Sequence, residues 1–237
     1  MKKWMVYGCI ILATISVWAC NKEEIVSTVN VESNFETGLD GWSVDLAEYN
    51  TSMDSSTIEF KYNVSKLLAP ADTTKKGLRV QSHNRSDDMF MYIKKKITGL
   101  DSTKIYEVFF SVDLGTSYHA NSVGIGGSPA SSVYLKVGAS PKEPAKVVKD
   151  GFYTFNLDKG NQMEGGKELI TIGDVANGLT EPGFRVVNRN NLNKPVGVKP
   201  NGKGEIWLCI GTDSGFEGLS VLYYDRVGVL IREKTTL

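Results

Sequence analysis

The stretch that decides the fold reads Asn34-Phe35-Glu36-Thr37-Gly38-Leu39-Asp40-Gly41-Trp42. An aromatic residue and a carboxylate precede a glycine-rich turn, and the tryptophan begins the run 42–46, in which apolar and polar residues alternate. Such alternation is typical of a β-strand with one buried face. A second stretch near the other end of the chain, Tyr223-Tyr224-Asp225-Arg226-Val227, has the composition of a closing strand. Together the two stretches predict the first and last strands of one β-domain.

Strand-like segments separated by turn residues fill the chain between these ends. In residues 89–97 and 106–114, apolar side chains recur with a two-residue period on one face, interrupted only at Lys95. Further strands are predicted at residues 57–62, 77–81, 133–137, 152–155, 169–172, 184–187, 205–212 and 221–231. The turns are rich in Gly, Asn, Asp and Ser, and no amphipathic helix exceeds a turn or two. This pattern predicts an all-β fold, a jelly-roll sandwich.

The composition fits a single globular domain without a nucleic-acid partner. The chain has 237 residues, 41% of them hydrophobic, with 27 acidic and 27 basic side chains. A zero net charge supplies neither the basic face that nucleic acid requires nor a polybasic patch for a membrane surface. We therefore expect any membrane attachment to depend on an anchor.

The N-terminus has the features of a processed export signal. Lys2 and Lys3 precede a largely apolar segment, residues 4–18, which is too short to span a bilayer. The segment ends in Val17-Trp18-Ala19-Cys20, which resembles a bacterial lipobox; the alternative is an ordinary secretory signal followed by a chance cysteine. We expect a signal peptide over residues 1–19, a Cys20 that carries palmitate or a similar acyl chain, a flexible tether over residues 20–33 and a β-sandwich over residues 34–237. The alternative for residues 25–33, which are polar and β-branched, is a first edge strand.

The residues after Cys20 give the expected location. Asn21-Lys22-Glu23-Glu24 resembles the short acidic signal that directs some lipoproteins to the outer-membrane surface; the alternative is a solvated tether without a targeting role. We therefore expect an outer-membrane lipoprotein exposed at the cell surface. If Cys20 is acylated, Cys209 has no disulfide partner, and its apolar neighbours predict a small buried hydrophobe.

The two ends and one middle strand together resemble a known family. Residues 34–42, the pair Gly99-Leu100 followed by Tyr106, and residues 223–227 are similar to the recurring motifs of galactose-binding-like jelly rolls, the carbohydrate-binding modules often attached to glycanases. The resemblance implies a non-catalytic domain that binds a polysaccharide or oligosaccharide. With the lipid anchor, the chain resembles surface lipoproteins of bacteria that forage on polysaccharides.

The same resemblance implies a structural Ca²⁺ ion held by Glu36 and Asp225. Asp225 shares the apolar face of its strand, where a carboxylate needs a partner because an unpaired buried charge is costly. Hard oxygen ligands suit Ca²⁺. The alternatives are that Asp225 points to solvent or pairs with a lysine or arginine.

A dense polar cluster, residues 82–88, marks the candidate ligand site. It contains His83, Asn84, Arg85 and Asp87, whose side chains could bind sugar hydroxyls, although a solvated hairpin loop would have the same composition. Two tyrosines are candidate stacking platforms: Tyr92, on the lysine-bearing face of its strand, and Tyr118, in a long loop. The tryptophans Trp42 and Trp207 are expected in the core.

The function that follows is non-catalytic glycan binding. Long connections, at residues 115–132, 174–182 and 188–204, leave open the alternative of a structural or assembly lipoprotein that docks proteins through its loops. A glycan-active hydrolase is a further alternative, because paired carboxylates need no sequence spacing. No Gly-x-Ser-x-Gly elbow and no Cys/His cluster with zinc spacing occurs.

Overall fold

The computed structural model describes residues 27–235, which form a nearly all-β structure. The predicted signal peptide, Cys20 and the first half of the predicted tether lie outside these residues. The elements are β1 (Thr28–Ser33), β2 (Ser43–Ala47), β3 (Tyr49–Asn50), α1 (Ser55–Ile58), β4 (Lys61–Lys66), β5 (Lys76–His83), β6 (Met89–Ile97), β7 (Tyr106–Thr116), β8 (Val133–Ser140), β9 (Lys146–Lys149), β10 (Phe152–Phe155), β11 (Leu169–Asp174), β12 (Arg185–Asn190), β13 (Val196–Val198), β14 (Ile206–Ser214) and β15 (Leu219–Glu233). Within the described range, no helix is long and apolar enough to cross a membrane.

Two antiparallel sheets form a sandwich with jelly-roll connections, as the sequence predicted. The first sheet has the order β12-β7-β15-β5-β4, with β1 also paired to β15 and β13 to β7. The second has the order β11-β8-β14-β6-β2. The chain alternates between them: β5 and β7 lie in the first sheet, whereas β6 and β8 lie in the second.

Strand β15 organises the first sheet. It pairs with β7 along one edge, and along the other edge with β5 at its start and β1 at its end. Thr28 is opposite Arg232, and His83 is opposite Leu219, so the chain enters at one end of the sandwich and the β5–β6 loop lies at the other. At about 3.3 Å per residue, β15 separates these ends by roughly 40 Å.

The opening motif folds into a turn that its own side chains stabilise. Asp40 Oδ2 accepts hydrogen bonds from the backbone N–H groups of Asn34 and Phe35, both at 2.9 Å. The Trp42 indole donates to Ser33 Oγ at 2.9 Å, and its ring is buried in the core as predicted. The expectation of a tether up to residue 33 is wrong for its last part, because Thr28–Ser33 pairs with β15 as a full strand.

One predicted strand, residues 57–62, is also wrong in part. Asp54 accepts a hydrogen bond from Ser56 N at 2.9 Å and thereby caps a short helix, α1. Glu59 ends that helix with a left-handed backbone conformation, φ 53°. Because Asp54 caps a helix here, the alternating residues before Lys61 do not form a strand, and β4 begins only at Lys61.

The chain covers the outer face of the second sheet with its own residues. Strands β3, β10 and β9 form a small third sheet, and residues 156–168, which we call the strap, run from β10 to β11. Beneath them lies a second apolar core, separate from the one between the sheets: Ala47, Phe90, Tyr92, Phe155, Leu157, Leu169 and Cys209. Cys209 is a buried free cysteine, as predicted.

Candidate functional site

The cavity at the far end of the sandwich, which we call the distal pocket, contains most of the predicted polar cluster. Its volume is about 340 Å³, and its walls are Asn84, Arg85, Ser86, Asp87, Ile125 and Glu217. Three loops build it: the β5–β6 loop, the β7–β8 loop and the β14–β15 loop. Cavities of about 520 and 390 Å³ lie against β1 and the outer face of the first sheet, and they contain none of the predicted ligand residues. The distal pocket is therefore the candidate ligand site.

Asn84 fastens two of these loops together. Its side chain is buried, and its Nδ2 donates to the carbonyl oxygens of Ser214 at 2.7 Å and Phe216 at 3.1 Å. Its Oδ1 accepts from Ser86 N at 3.1 Å. Both ends of the amide are thus engaged by the protein, so Asn84 positions the pocket and is not the free sugar ligand that the sequence suggested.

Arg85, Asp87 and Glu217 carry the free polar groups of the pocket. All three are exposed, and none forms an ion pair within residues 27–235. Arg85 Nε donates to Thr57 O at 3.2 Å, which leaves its terminal nitrogens available. Asp87 has a left-handed backbone, φ 71°. The pocket therefore offers a guanidinium and two carboxylates beside the apolar side chain of Ile125, which is 73% exposed.

His83 lies beside the pocket but does not line it. The ring is half-buried at the end of β5, and its Nδ1 lies 3.0 Å from Glu59 Oε1. This contact attaches the end of α1 to the first sheet. The sequence predicts His83 in the ligand set, whereas the structure pairs its ring nitrogen with the Glu59 carboxylate.

The two predicted stacking platforms are engaged in the fold. Tyr92 is only 1% exposed, and its ring packs on Phe90 and Phe155 at centroid distances of 5.6 and 4.9 Å. The Tyr118 hydroxyl donates to Leu219 O at 3.0 Å and accepts from Val221 N at 2.7 Å. The assignment of Tyr92 to a sugar-facing surface is wrong because the small sheet and the strap cover that face. Tyr118 holds the β7–β8 loop to β15.

Trp207 also differs from expectation. It is half-buried on the outer face of the second sheet, with the amines of Lys94 and Lys96 at 5.6 and 5.2 Å from its ring centroid. Those amines are themselves paired with Glu143 and Glu205. The ring therefore lies under two ion pairs rather than in the core.

The predicted calcium ligands lie in one acidic neighbourhood. Asp225 sits at a β-bulge of β15 and is half-buried. Burial raises the pKa of Asp225; Lys75 opposes this shift, and Asp113 and Glu36 add to it. Glu36 Oε2 accepts from Lys76 N at 3.2 Å, so one carboxylate edge is already engaged. Carboxylate oxygens are the donor type that Ca²⁺ prefers, so a calcium ion between Glu36 and Asp225 stays a prediction. Among the described residues, no group of three or more His, Cys, Asp or Glu side chains is arranged for a metal ion.

A buried ionic cluster under the strap is absent from the sequence predictions. Lys136 and Asp213 are fully buried, with Nζ and Oδ2 2.7 Å apart. Lys159 Nζ, from the strap, lies 2.9 Å from Asp213 Oδ2 and 3.2 Å from Asp88 Oδ2. Lys136 interrupts an apolar strand, which is the one signal that the sequence offers. The two aspartates form an acidic pair, but lysines cover it, unlike the carboxylates of a hydrolase, which face a cleft.

Comparison with known proteins gives similarity in fold. No protein-family profile and no curated protein matches the chain. Solved structures with a similar arrangement include the mannan-recognising carbohydrate-binding module TmCBM27, at 12% identity, covering 88% of this chain and 99% of that one, with a TM-score of 0.36. The family 11 carbohydrate-binding module from Clostridium thermocellum has 11% identity, coverages of 84% and 94%, and a TM-score of 0.32.

A third similar structure belongs to an enzyme. It is the enzymatically active domain of bacteriophage CBA120 tailspike protein 4, at 8% identity, 82% coverage of this chain and a TM-score of 0.35. This chain spans 20% of its length. The structural neighbours thus include carbohydrate-binding modules with a β-sandwich fold and an enzyme domain, all at TM-scores below 0.5.

Proposed function

We propose that this chain is a non-catalytic glycan-binding lipoprotein of the outer membrane and that the distal pocket binds the sugar. The observation that carries the proposal is the set of side chains in that pocket. Arg85 supplies hydrogen-bond donors, Asp87 and Glu217 supply acceptors, and Ile125 offers an apolar surface. A sugar ring has the complementary mixture: hydroxyl groups at its edge and C–H groups on its faces.

The position of the pocket suits a surface receptor. If Cys20 is acylated, the chain leaves the membrane and enters β1 at the end of β15 that carries Arg232. The pocket lies at the opposite end of that strand, roughly 40 Å away. Its loops would therefore face away from the membrane and toward polymers outside the cell.

The rigidity of the pocket supports binding without a large ordering cost. Asn84 ties the β14–β15 loop to the β5–β6 loop, and Tyr118 ties the β7–β8 loop to β15. A preformed site loses less conformational entropy when a ligand binds. We expect a weak single site, with a dissociation constant on the order of micromolar to millimolar.

A glycan array probed with the full-length protein in detergent tests this function. We expect retention on one or a few related glycans, lost when free oligosaccharide of the same composition is added. Binding to no glycan on a broad array would contradict the proposal.

The alternative of protein docking is favoured by one observation. In the β7–β8 loop, Val123 and Ile125 are 92% and 73% exposed, and an apolar loop tip of this kind is typical of a contact with another protein. If the array is negative, Val123→Ser tested against co-purifying proteins becomes the informative experiment.

A further inference from the structure

We propose that Lys136 and Asp213 condense to an intramolecular amide, a covalent cross-link between β8 and β14, with Asp88 as the proton-transferring catalyst. The observation behind it is a lysine and an aspartate, both fully buried and in contact on neighbouring strands. The site is separate from the distal pocket, and the inference does not depend on glycan binding.

The strap directs the lysine at the aspartate. Lys136 Nζ donates to Lys159 O at 2.7 Å and to Glu164 O at 3.0 Å, both in the strap, and lies 2.7 Å from Asp213 Oδ2. A neutral amine has two N–H groups and one lone pair. With its N–H groups on the two carbonyl oxygens, the lone pair faces Asp213 Oδ2, one bond away from the carboxyl carbon that it would attack.

Burial favours the neutral amine. It lowers the pKa of Lys136, although Asp213 opposes the shift. For Lys159, burial lowers the pKa but Asp213 and Asp88 outweigh it, so the net pKa is raised. Lys136 is therefore the nucleophile, and Lys159 stays cationic beside the carboxylates, where it stabilises the negative charge that forms on Asp213 during attack.

Two carboxyl oxygens without partners identify the acid. Asp88 Oδ1 and Asp213 Oδ1 are both buried, and neither has a hydrogen-bond partner among the described residues. Burial raises the pKa of Asp88 to about 6, and the interaction with Asp213 adds to the shift. A proton on Asp88 that is shared with Asp213 satisfies both oxygens and places an acid at the leaving oxygen.

The reaction balances without another reagent. Lys136 first passes one ammonium proton to Asp213, which gives a neutral amine and a carboxylic acid. The amine nitrogen attacks Asp213 Cγ, a C–N bond forms, and one carboxyl oxygen leaves as water. Asp213 Oδ1 is the departing oxygen: it receives one proton from Asp88 and a second that Asp88 takes from the adduct nitrogen. Asp88 then recovers a proton from Oδ2 as the amide carbonyl forms, so it ends as it began. Because the buried cluster excludes water, it does not retain the water molecule that the reaction releases.

Peptide mapping of the denatured full-length protein tests this proposal. Trypsin cannot cut after an acylated lysine, so residues 105–142 should appear joined to residues 204–226, lighter by one water than the two peptides together. Loss of water alone is not sufficient, because Asp40-Gly41 and Asp150-Gly151 can form succinimides. Free peptides 105–136 and 204–226 in the wild type, without the joined species, would overturn the proposal.

Two variants assign the roles. Asp88→Asn keeps the shape of the side chain but removes the acid, and general acid–base catalysis is worth about 10²–10⁴-fold in rate, so the free peptides should replace the joined one. Glu164→Gln is the matched control, since only the backbone oxygen of that residue contacts Lys136, and it should remain joined. Unchanged joining in Asp88→Asn, or a branch at Lys159, would contradict the assignment.

Discussion

The rings of Tyr92 and Phe155 meet edge to face, with their centroids 4.9 Å apart, across the outer face of the second sheet. One ring comes from the sheet and the other from the small sheet that covers it. This contact buries a face of β6 that the sequence alone predicts to be exposed. The candidate ligand site is therefore in the loops at the end of the sandwich and not on this face.

Tyr92→Ala should therefore unfold the protein more easily rather than weaken ligand binding alone. Removing a fully buried aromatic side chain costs about 3–5 kcal/mol in the free energy of unfolding. Urea denaturation measures this loss. Tyr62→Ala is the control, because that ring is 46% exposed and should change stability by less than about 1 kcal/mol. Equal small effects of the two substitutions would contradict the buried position of Tyr92.

Asn84→Ala should affect both stability and binding. The substitution removes the amide donor from the Ser214 carbonyl oxygen and leaves the Phe216 carbonyl oxygen with the hydrogen bond from Ser214 Oγ alone, at a cost of about 1–3 kcal/mol. Because the same bonds hold the pocket loops together, ligand affinity should fall as well. Thermal unfolding and ligand titration of the same preparation check both effects; a variant that binds normally and melts normally would exclude the positioning role.

Calcium should stabilise the wild type in a pH-dependent way. The folded-state pKa of Asp225 is raised above its ordinary value, so the folded state binds more protons than the unfolded state between the two values. Without metal, the ionised Asp225 therefore destabilises the folded state. This loss of folding stability develops as the pH rises from the unfolded-state pKa of Asp225 through its folded-state pKa. At neutral pH in a chelator, Asp225→Asn should melt above the wild type.

With added Ca²⁺, the wild type should melt above Asp225→Asn. A ligand of the folded state stabilises it by mass action, and the substituted amide would lack the charge that holds the ion. The rise in melting temperature that Ca²⁺ causes should also become smaller below the folded-state pKa of Asp225, where protons compete with the ion. Differential scanning calorimetry across pH, with and without Ca²⁺, measures these shifts. Melting curves that do not respond to Ca²⁺ would remove the metal site and leave the fold intact.

Cys20→Ser should release the protein from the membrane. The substituted oxygen cannot form the thioether through which a lipoprotein is anchored, so labelling with a radioactive fatty acid should disappear and the chain should move to the soluble fraction. Cys209→Ser is the matched control, since that thiol is buried in the fold. Persistent labelling of Cys20→Ser in the membrane fraction would contradict the lipoprotein interpretation.

The sandwich is predictable from the sequence because its strands carry a local signal. Met89, Met91 and Ile93 lie in the core between the sheets, as their two-residue period requires. The opposite face of the same strand is predicted wrongly, because β10 and the strap cover Tyr92. Both segments follow much later in the chain, and the periodicity of one strand contains no information on such distant contacts. Lys94, on that face, is correctly placed away from the main core.

The polar sites depend even more on distant residues. Residues 84–87 are recognisable as a polar cluster, but Glu217 and Ile125 join them only through the loop arrangement. Lys136 in an apolar strand is a visible anomaly. Its partner Asp213 directly follows the predicted strand 205–212, whereas in the structure it belongs to β14. Only the pairing of β14 with β8 brings the two residues together.

Retention on an immobilised glycan, compared between two arginine variants, tests the central claim most directly. Arg85 lines the distal pocket, whereas Arg232 is an exposed arginine at the opposite end of β15, paired with Glu107. Loss of a charge-assisted hydrogen bond costs about 1.5–3 kcal/mol, enough to abolish retention at a weak site. We predict that Arg85→Ala is no longer retained although its melting temperature is nearly unchanged, while Arg232→Ala binds as the wild type does. Undiminished binding by Arg85→Ala would contradict the account.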